Sequence, residues 1–154
     1  MPDLHVDNQI ATLRENPLEQ TRAVDPYDET TFFGLWLTHS LPHELPPSAA
    51  ALLSTKEVVK VPPKHLGNIY LRSTFARLGI VCPSTVADPG FEGTLTLEIF
   101  NASNRPLLIR PNDALFHWIL SPCEGEEHYM LKGRYQGQRG ITLPKALKRE
   151  DKQP

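Results

Sequence analysis

Fifteen prolines in 154 residues, about twice the usual share, limit what this chain can fold into more than any other feature. Proline fixes its own φ, lacks an N–H and steers the preceding residue out of the helical region. The runs between prolines are short, and short runs suit strands and turns better than long helices. The expected class is therefore mainly β, a distorted barrel or jelly-roll-like sandwich of short strands. Strands are predicted over residues 57–61, 67–72, 94–100, 107–110 and 115–120, each bounded by turn residues. One short N-terminal helix is predicted over residues 8–14, where Ile10 and Leu13 recur at helical spacing before Pro17. From there to Pro63 the chain reads as irregular apart from the strand at 57–61. At this length, with 40% hydrophobic residues, one core and a single domain over 1–154 are expected. Residues 133–154 carry Gly133, Gly137 and Gly140 among basic and amide side chains, the composition of a segment that is flexible unless something binds it.

Several function classes drop out on composition. A formal net charge of -2 gives no sign of a nucleic-acid or membrane surface, since phosphate backbones and anionic lipids select for basic excess. No apolar run approaches the roughly 20 residues of a spanning helix. Cys82 and Cys123 are the only cysteines and the first residues lack a basic-then-apolar leader, so a cytoplasmic protein is expected. Zinc is not expected either. Pro122-Cys123 is followed by no second cysteine at the spacing a zinc deaminase uses, and the six histidines are scattered. Phosphate-loop and Gly-x-Ser-x-Gly signatures are missing as well.

Three short stretches carry chemistry. In "TLTLEIF" the period of two puts Leu95, Leu97 and Ile99 on one face and Thr94, Thr96, Glu98 and Phe100 on the other. For an arbitrary strand Glu98 is a solvated outer glutamate. A chemical role requires the second face to be enclosed too, and Phe100 on that side points towards such enclosure. "RSTFAR" places Arg72 and Arg77 around Ser73 and Thr74. Guanidinium forks and hydroxyls hold phosphate oxygens, although such arginines also serve as surface ion-pair partners. "ADPGFEG" is a turn by composition, with Asp88 before Pro89 and Gly90.

Together, "GNIYLRSTFARLG" (67–79), "DPGFEGTLTLEIFNASNRPLLIRP" (88–111) and "GRYQGQRG" (133–140) resemble the dCTP deaminases of the dUTPase-like superfamily. The family's Arg-Ser-Ser-x-Ala-Arg motif appears as Arg72-Ser73-Thr74-Phe75-Ala76-Arg77, and its aspartate-to-glutamate motif as Asp88 through Glu98. The resemblance implies a homotrimer of distorted β-barrel subunits of β-clip type, with active sites shared between neighbours. It implies a nucleotide partner, dCTP, dUTP or dTTP, bound as its Mg2+ complex, with no direct metal ligand in the protein and no zinc. By the same resemblance Glu98 matches the proton-shuttling glutamate, and Ser73 and Arg77 match residues that position the water and the leaving amine. Arg72, Ser73, Thr74, Asp88, Arg134, Tyr135 and Gln138 are the implied nucleotide contacts, with residues 135–138 in a flap over the triphosphate.

The residues agree with that chemistry on their own terms. Replacing a 4-amino group by oxygen needs one carboxylate that accepts a proton from water and then donates one to the departing nitrogen. Two stretches depart from the family pattern. "TFFGLWLTHS" lacks the aspartate of the family's N-terminal strand, and Asn112 to Trp118 replaces a glutamine-bearing strand, leaving His117 as a strand histidine rather than a polar contact. Three activities remain open: a deaminase yielding dUTP and ammonia, a dUTPase or bifunctional enzyme yielding dUMP with Asp88 activating water, or a non-catalytic nucleotide-binding trimer.

Overall fold

The computed structural model describes residues 2–14, 23–32, 34–124 and 132–148. The strand predicted around Glu98 is formed. That strand, Thr96–Asn101, buries Leu97, Ile99 and Asn101 and exposes Glu98 and Phe100, the alternation read from the sequence. It begins two residues later than expected because Thr94 N–H donates to Gln138 O at 3.0 Å and Leu95 N–H to Thr55 Oγ1 at 2.9 Å.

In chain order the strands are β1 (Asp3–Leu13), β2 (Trp36–Ser40), β3 (His43–Leu45), β4 (Ala50–Thr55), β5 (Val59–Lys60) and β6 (His65–Leu71). One short helix, α1 (Ser73–Arg77), follows, and then β7 (Ile80–Val81), β8 (Thr85–Ala87), β9 (Glu92–Gly93), β10 (Thr96–Asn101), β11 (Leu107–Ile109) and β12 (Ala114–Pro122). A 3-10 turn covers Glu29–Phe32. The main sheet runs β7-β10-β4-β1-β12-β6-β8, with β2 pairing β1, and two small ladders join β11 to β3 and β5 to β9. Every ladder is antiparallel. The core between these layers holds Val6, Ile10, Leu53, Leu97, Ile109 and Phe116. Gly67 of β6 lies directly under the Trp118 ring, where a Cβ would overlap the indole.

The expected helix over 8–14 is not formed: residues 8–13 continue β1. Ile10 and Ala11 stand opposite Leu53 and Leu52 of β4, while Ala11 and Thr12 also pair Thr38 and Leu37 of β2. A seven-residue helix is marginal on its own, and ladders on both edges bury Ile10 and Ala11 completely. The stretch read as irregular before Pro63 likewise contains β2, β3 and β4. β4 is central, since its Leu52 faces Glu98 across the ladder to β10. Of the strand expected over 57–61, only Val59 and Lys60 pair, with β9. The other three strands appear with ends moved by one or two residues. Arg72, expected inside β6, instead caps α1 with an extended backbone at φ -68 and ψ 143.

Candidate active site

Glu98, Asp88, Tyr135 and Gln138, separated by up to fifty residues of chain, line one cavity of about 410 Å3. β10 supplies Glu98 and Thr96, the turn before β9 supplies Asp88, and β8 supplies Thr85, Val86 and Ala87. The turn is set by Phe91 N–H donating to Asp88 O at 3.0 Å and by Gly90 at φ 83, a left-handed backbone that favours glycine.

The far wall is the C-terminal segment. Gly137 N–H donates to Glu92 O at 2.8 Å, Thr94 N–H to Gln138 O at 3.0 Å, and Gln138 Nε2 to Thr94 O at 2.8 Å. Gln136 adds bonds to the backbone of Gly90 and Glu92, and Thr142 N–H reaches Thr96 Oγ1 at 2.9 Å. Residues 136–142 thus lie along β9 and the start of β10, Leu147 N–H turns away to Pro26 O at 2.8 Å, and 149–154 fall outside the described residues. Two of the lining residues carry polar groups without a partner among the described residues. Gln138 Oε1 is buried with no hydrogen-bond partner among the described residues, an acceptor waiting for a donor. The Glu98 carboxylate is exposed at the cavity wall and makes no hydrogen bond or ion pair among the described residues. Its charge is felt next door: burial first, and then Glu98, push the Cys82 thiol up to about 11.

The second group of expected site residues stands apart. Arg72, Ser73, Thr74 and Arg77 all belong to α1 or its cap, and none lines this cavity. The helix has no buried residue. Arg77 borders a different concavity of about 460 Å3 with Leu78, Ser103, Asn104 and Arg105. Arg72 Nη1 lies 3.3 Å from Asp3 Oδ2 and donates to Ala114 O at 3.3 Å. Arg134 does not line the cavity, and its carbonyl accepts from Lys145 Nζ at 2.9 Å. Arg139 folds back onto the carbonyls of Gly137 and Gln138. The cavity therefore contains two carboxylates and no lysine or arginine among its lining residues, whereas the guanidiniums of the Arg-Ser-Thr motif lie elsewhere on the chain.

His117, read as a strand histidine, stands in β12 and does not line the cavity. Its Nδ1 sits 2.9 Å from Asp3 Oδ1, though out of line for a hydrogen bond. Among the lining residues, Thr96 was legible as sharing the face of Glu98. Phe91 reaches the wall from the turn before β9, and Thr142 and Pro144 carried no signal, because only the seated segment brings them there. Among the described residues no group of three potential metal ligands occurs, and no helix among them is long and apolar enough to cross a membrane.

Comparison with known proteins adds to this geometry. The family described as dCTP deaminase-like matches residues 2–121. The dCTP deaminase of Pyrobaculum aerophilum is 45% identical over 106 residues, covering 69% of this chain and 59% of that protein. That of Metallosphaera sedula is 32% identical over 151 residues, covering 95% of this chain and 81% of its own. The chain thus spans about three fifths of the length of the curated relatives it matches at the higher identity. In fold it is similar to the 2'-deoxycytidine 5'-triphosphate deaminase of Agrobacterium tumefaciens, with a TM-score of 0.64 at 15% identity, covering 80% of this chain and 42% of that one. The dUTPase of EIAV aligns with a TM-score of 0.50 at 18% identity over 55% of this chain and 70% of its own.

Proposed function

The chain belongs to the dCTP deaminase-like family, and on that premise we propose that it hydrolyses dCTP to dUTP and ammonia in pyrimidine deoxynucleotide metabolism. The observation that carries this reading is the convergence of Glu98, Asp88, Tyr135 and Gln138 on one cavity. Water attacks C4 of the cytosine as Glu98 takes one of its protons, and the same carboxyl returns a proton to the departing amine. One mole of water enters and one of ammonia leaves. The buried Gln138 Oε1 offers an acceptor to a donor on the bound nucleotide. The chemistry asks for a single well-placed carboxylate and no zinc.

A triphosphate cannot be held by two carboxylates alone. The charge mismatch of the cavity supports a shared site, in which Arg72, Ser73, Thr74 and Arg77 of one copy complete the cavity of another within a homotrimer. Ser73 and Arg77 then position water and leaving amine, while Arg72, Thr74 and Arg134 meet the phosphates and Asp88 the nucleotide. Magnesium, when bound with the nucleotide, would neutralise phosphate charge. Residues 133–154 act as the closing segment, and the protein works in the cytoplasm. A second reading, dUTPase or bifunctional conversion to dUMP and pyrophosphate, is favoured by one observation: Asp88 is exposed in the same cavity as Glu98.

Incubation with magnesium and either dCTP or dUTP, followed by product separation, tells the two apart. Glu98→Gln keeps the size of the side chain and removes the base, so ammonia release should fall by about 10² to 10⁴ with dCTP binding retained. Turnover within a few-fold of the unchanged protein would end the proposed role of Glu98.

A further inference from the structure

We propose that Asp3 is a positioning residue that presents Arg72 to the phosphate chain, an inference that rests on the nucleotide reading above. Asp3 opens β1 opposite His117 of β12, and His117 stands opposite Tyr70 of β6. Strand register therefore brings Asp3 beside the end of β6, where the chain passes from Leu71 into Arg72. The backbone of Arg72 is fixed by its N–H to Leu115 O at 2.8 Å. Its guanidinium is held at one end only, by Asp3 Oδ2 at 3.3 Å and Ala114 O at 3.3 Å, both on Nη1. Nε and Nη2 have no partner among the described residues, so the remaining edge of the fork is available to a phosphate.

Asp3 itself is poorly placed to be anything but a holder. Its carboxylate would repel a nearby triphosphate if left unpaired, and here Oδ2 faces Arg72 while Oδ1 lies 2.9 Å from His117 Nδ1. Nor does stability explain the contact. Asp3 and Arg72 are 31% and 38% exposed at the side chain, and ion pairs open to water contribute little. What the pair does supply is order. A free arginine loses rotamer freedom when it grips a phosphate, whereas one already tied at Nη1 has lost part of it beforehand.

Calorimetric titration with dCTP and with dCMP, each with magnesium, and ammonia release alongside, tests this on Asp3→Asn. The expected result is a loss of about three- to tenfold in dCTP affinity and a matching rise in KM, with dCMP affinity and kcat changed less. Asp3→Glu, which keeps the carboxylate, should recover most of the difference. If Asn lowers Tm, Asp3→Ser should show the same loss of preference for three phosphates over one. Equal weakening of dCTP and dCMP, or no change in either, overturns the proposal. Absence of dCTP binding by the unchanged protein overturns it together with the functional reading. Binding without ammonia release breaks the deaminase assignment alone, and the dCTP-to-dCMP comparison still decides the role of Asp3.

Discussion

The cavity beside β10 and the helix α1 are built by opposite means. Around Glu98 the walls come from four stretches of chain, the charges are negative, and main-chain hydrogen bonds hold the C-terminal segment in place. Around Arg77 a single five-residue helix carries the chemistry, its charges are positive, and none of its side chains is buried. Each half lacks what the other has. On the proposed reading the two regions, of complementary charge, are halves that copies of the chain complete around a ring.

The strongest way to break that comparison is to damage one half at a time. Glu98→Gln and Arg77→Ala should each lose about 10² or more in kcat. Co-expressed, they should regain about a quarter of normal activity, because each shared site draws its two halves from different chains and either chain is intact at one half. No recovery in ammonia release from the mixed assembly would mean that each chain works with its own α1.

Two glycines sharpen the contrast at lower cost. A Cβ at Gly93 would stand 2.9 Å from Gln138 O and 3.1 Å from its N, so Gly93→Ala should lift the C-terminal segment, raising KM and lowering kcat together with little change in Tm. Gly79 sits at φ +86, and a Cβ there would meet Ser103 Cβ at 2.9 Å. Gly79→Ala should cost about 1 to 3 kcal/mol and lower Tm, read by thermal melting beside steady-state kinetics. If both variants behaved alike, the two halves would not be mechanically separate.

The smallest effect concerns the thiol beside Glu98. Cys82 is pushed up to about 11 by burial and, second, by the Glu98 charge, so little thiolate exists near neutral pH and alkylation there should be slow. Removing the charge in Glu98→Gln should speed Cys82 alkylation at pH 8 modestly, by less than exposing the thiol would. An unchanged rate, followed by mass spectrometry, would mean that the carboxylate and thiol do not sense each other.

Most of the strand core was legible because alternation in "TLTLEIF" and the paired runs around Ile69 and Leu115 is a local signal. β1 was misread for the opposite reason. Its Ile10 and Leu13 spacing is compatible with a helix, and only partners far along the chain, β2 and β4, decide for a strand. The site divides the same way. That Glu98 points away from the aliphatic face follows from a period of two. That Arg72 and Arg77 lie outside the cavity follows from where α1 leaves the sheet, and no motif encodes that. Asp3 left no trace in the sequence, since its meaning arises only from register with His117.

The seat of the C-terminal segment has an evolutionary side. Two of its bonds, Gly137 N–H to Glu92 O and Thr94 N–H to Gln138 O, run from main chain to main chain. Side chains at Arg139, Leu143 or Lys145 can drift without unfastening them, and the receiving edge must keep the bare Cα of Gly93 and the hydroxyl of Thr96. Such a fastening lets the sequence over the cavity vary while its path stays fixed, so that new contacts to a nucleotide can be tried one residue at a time.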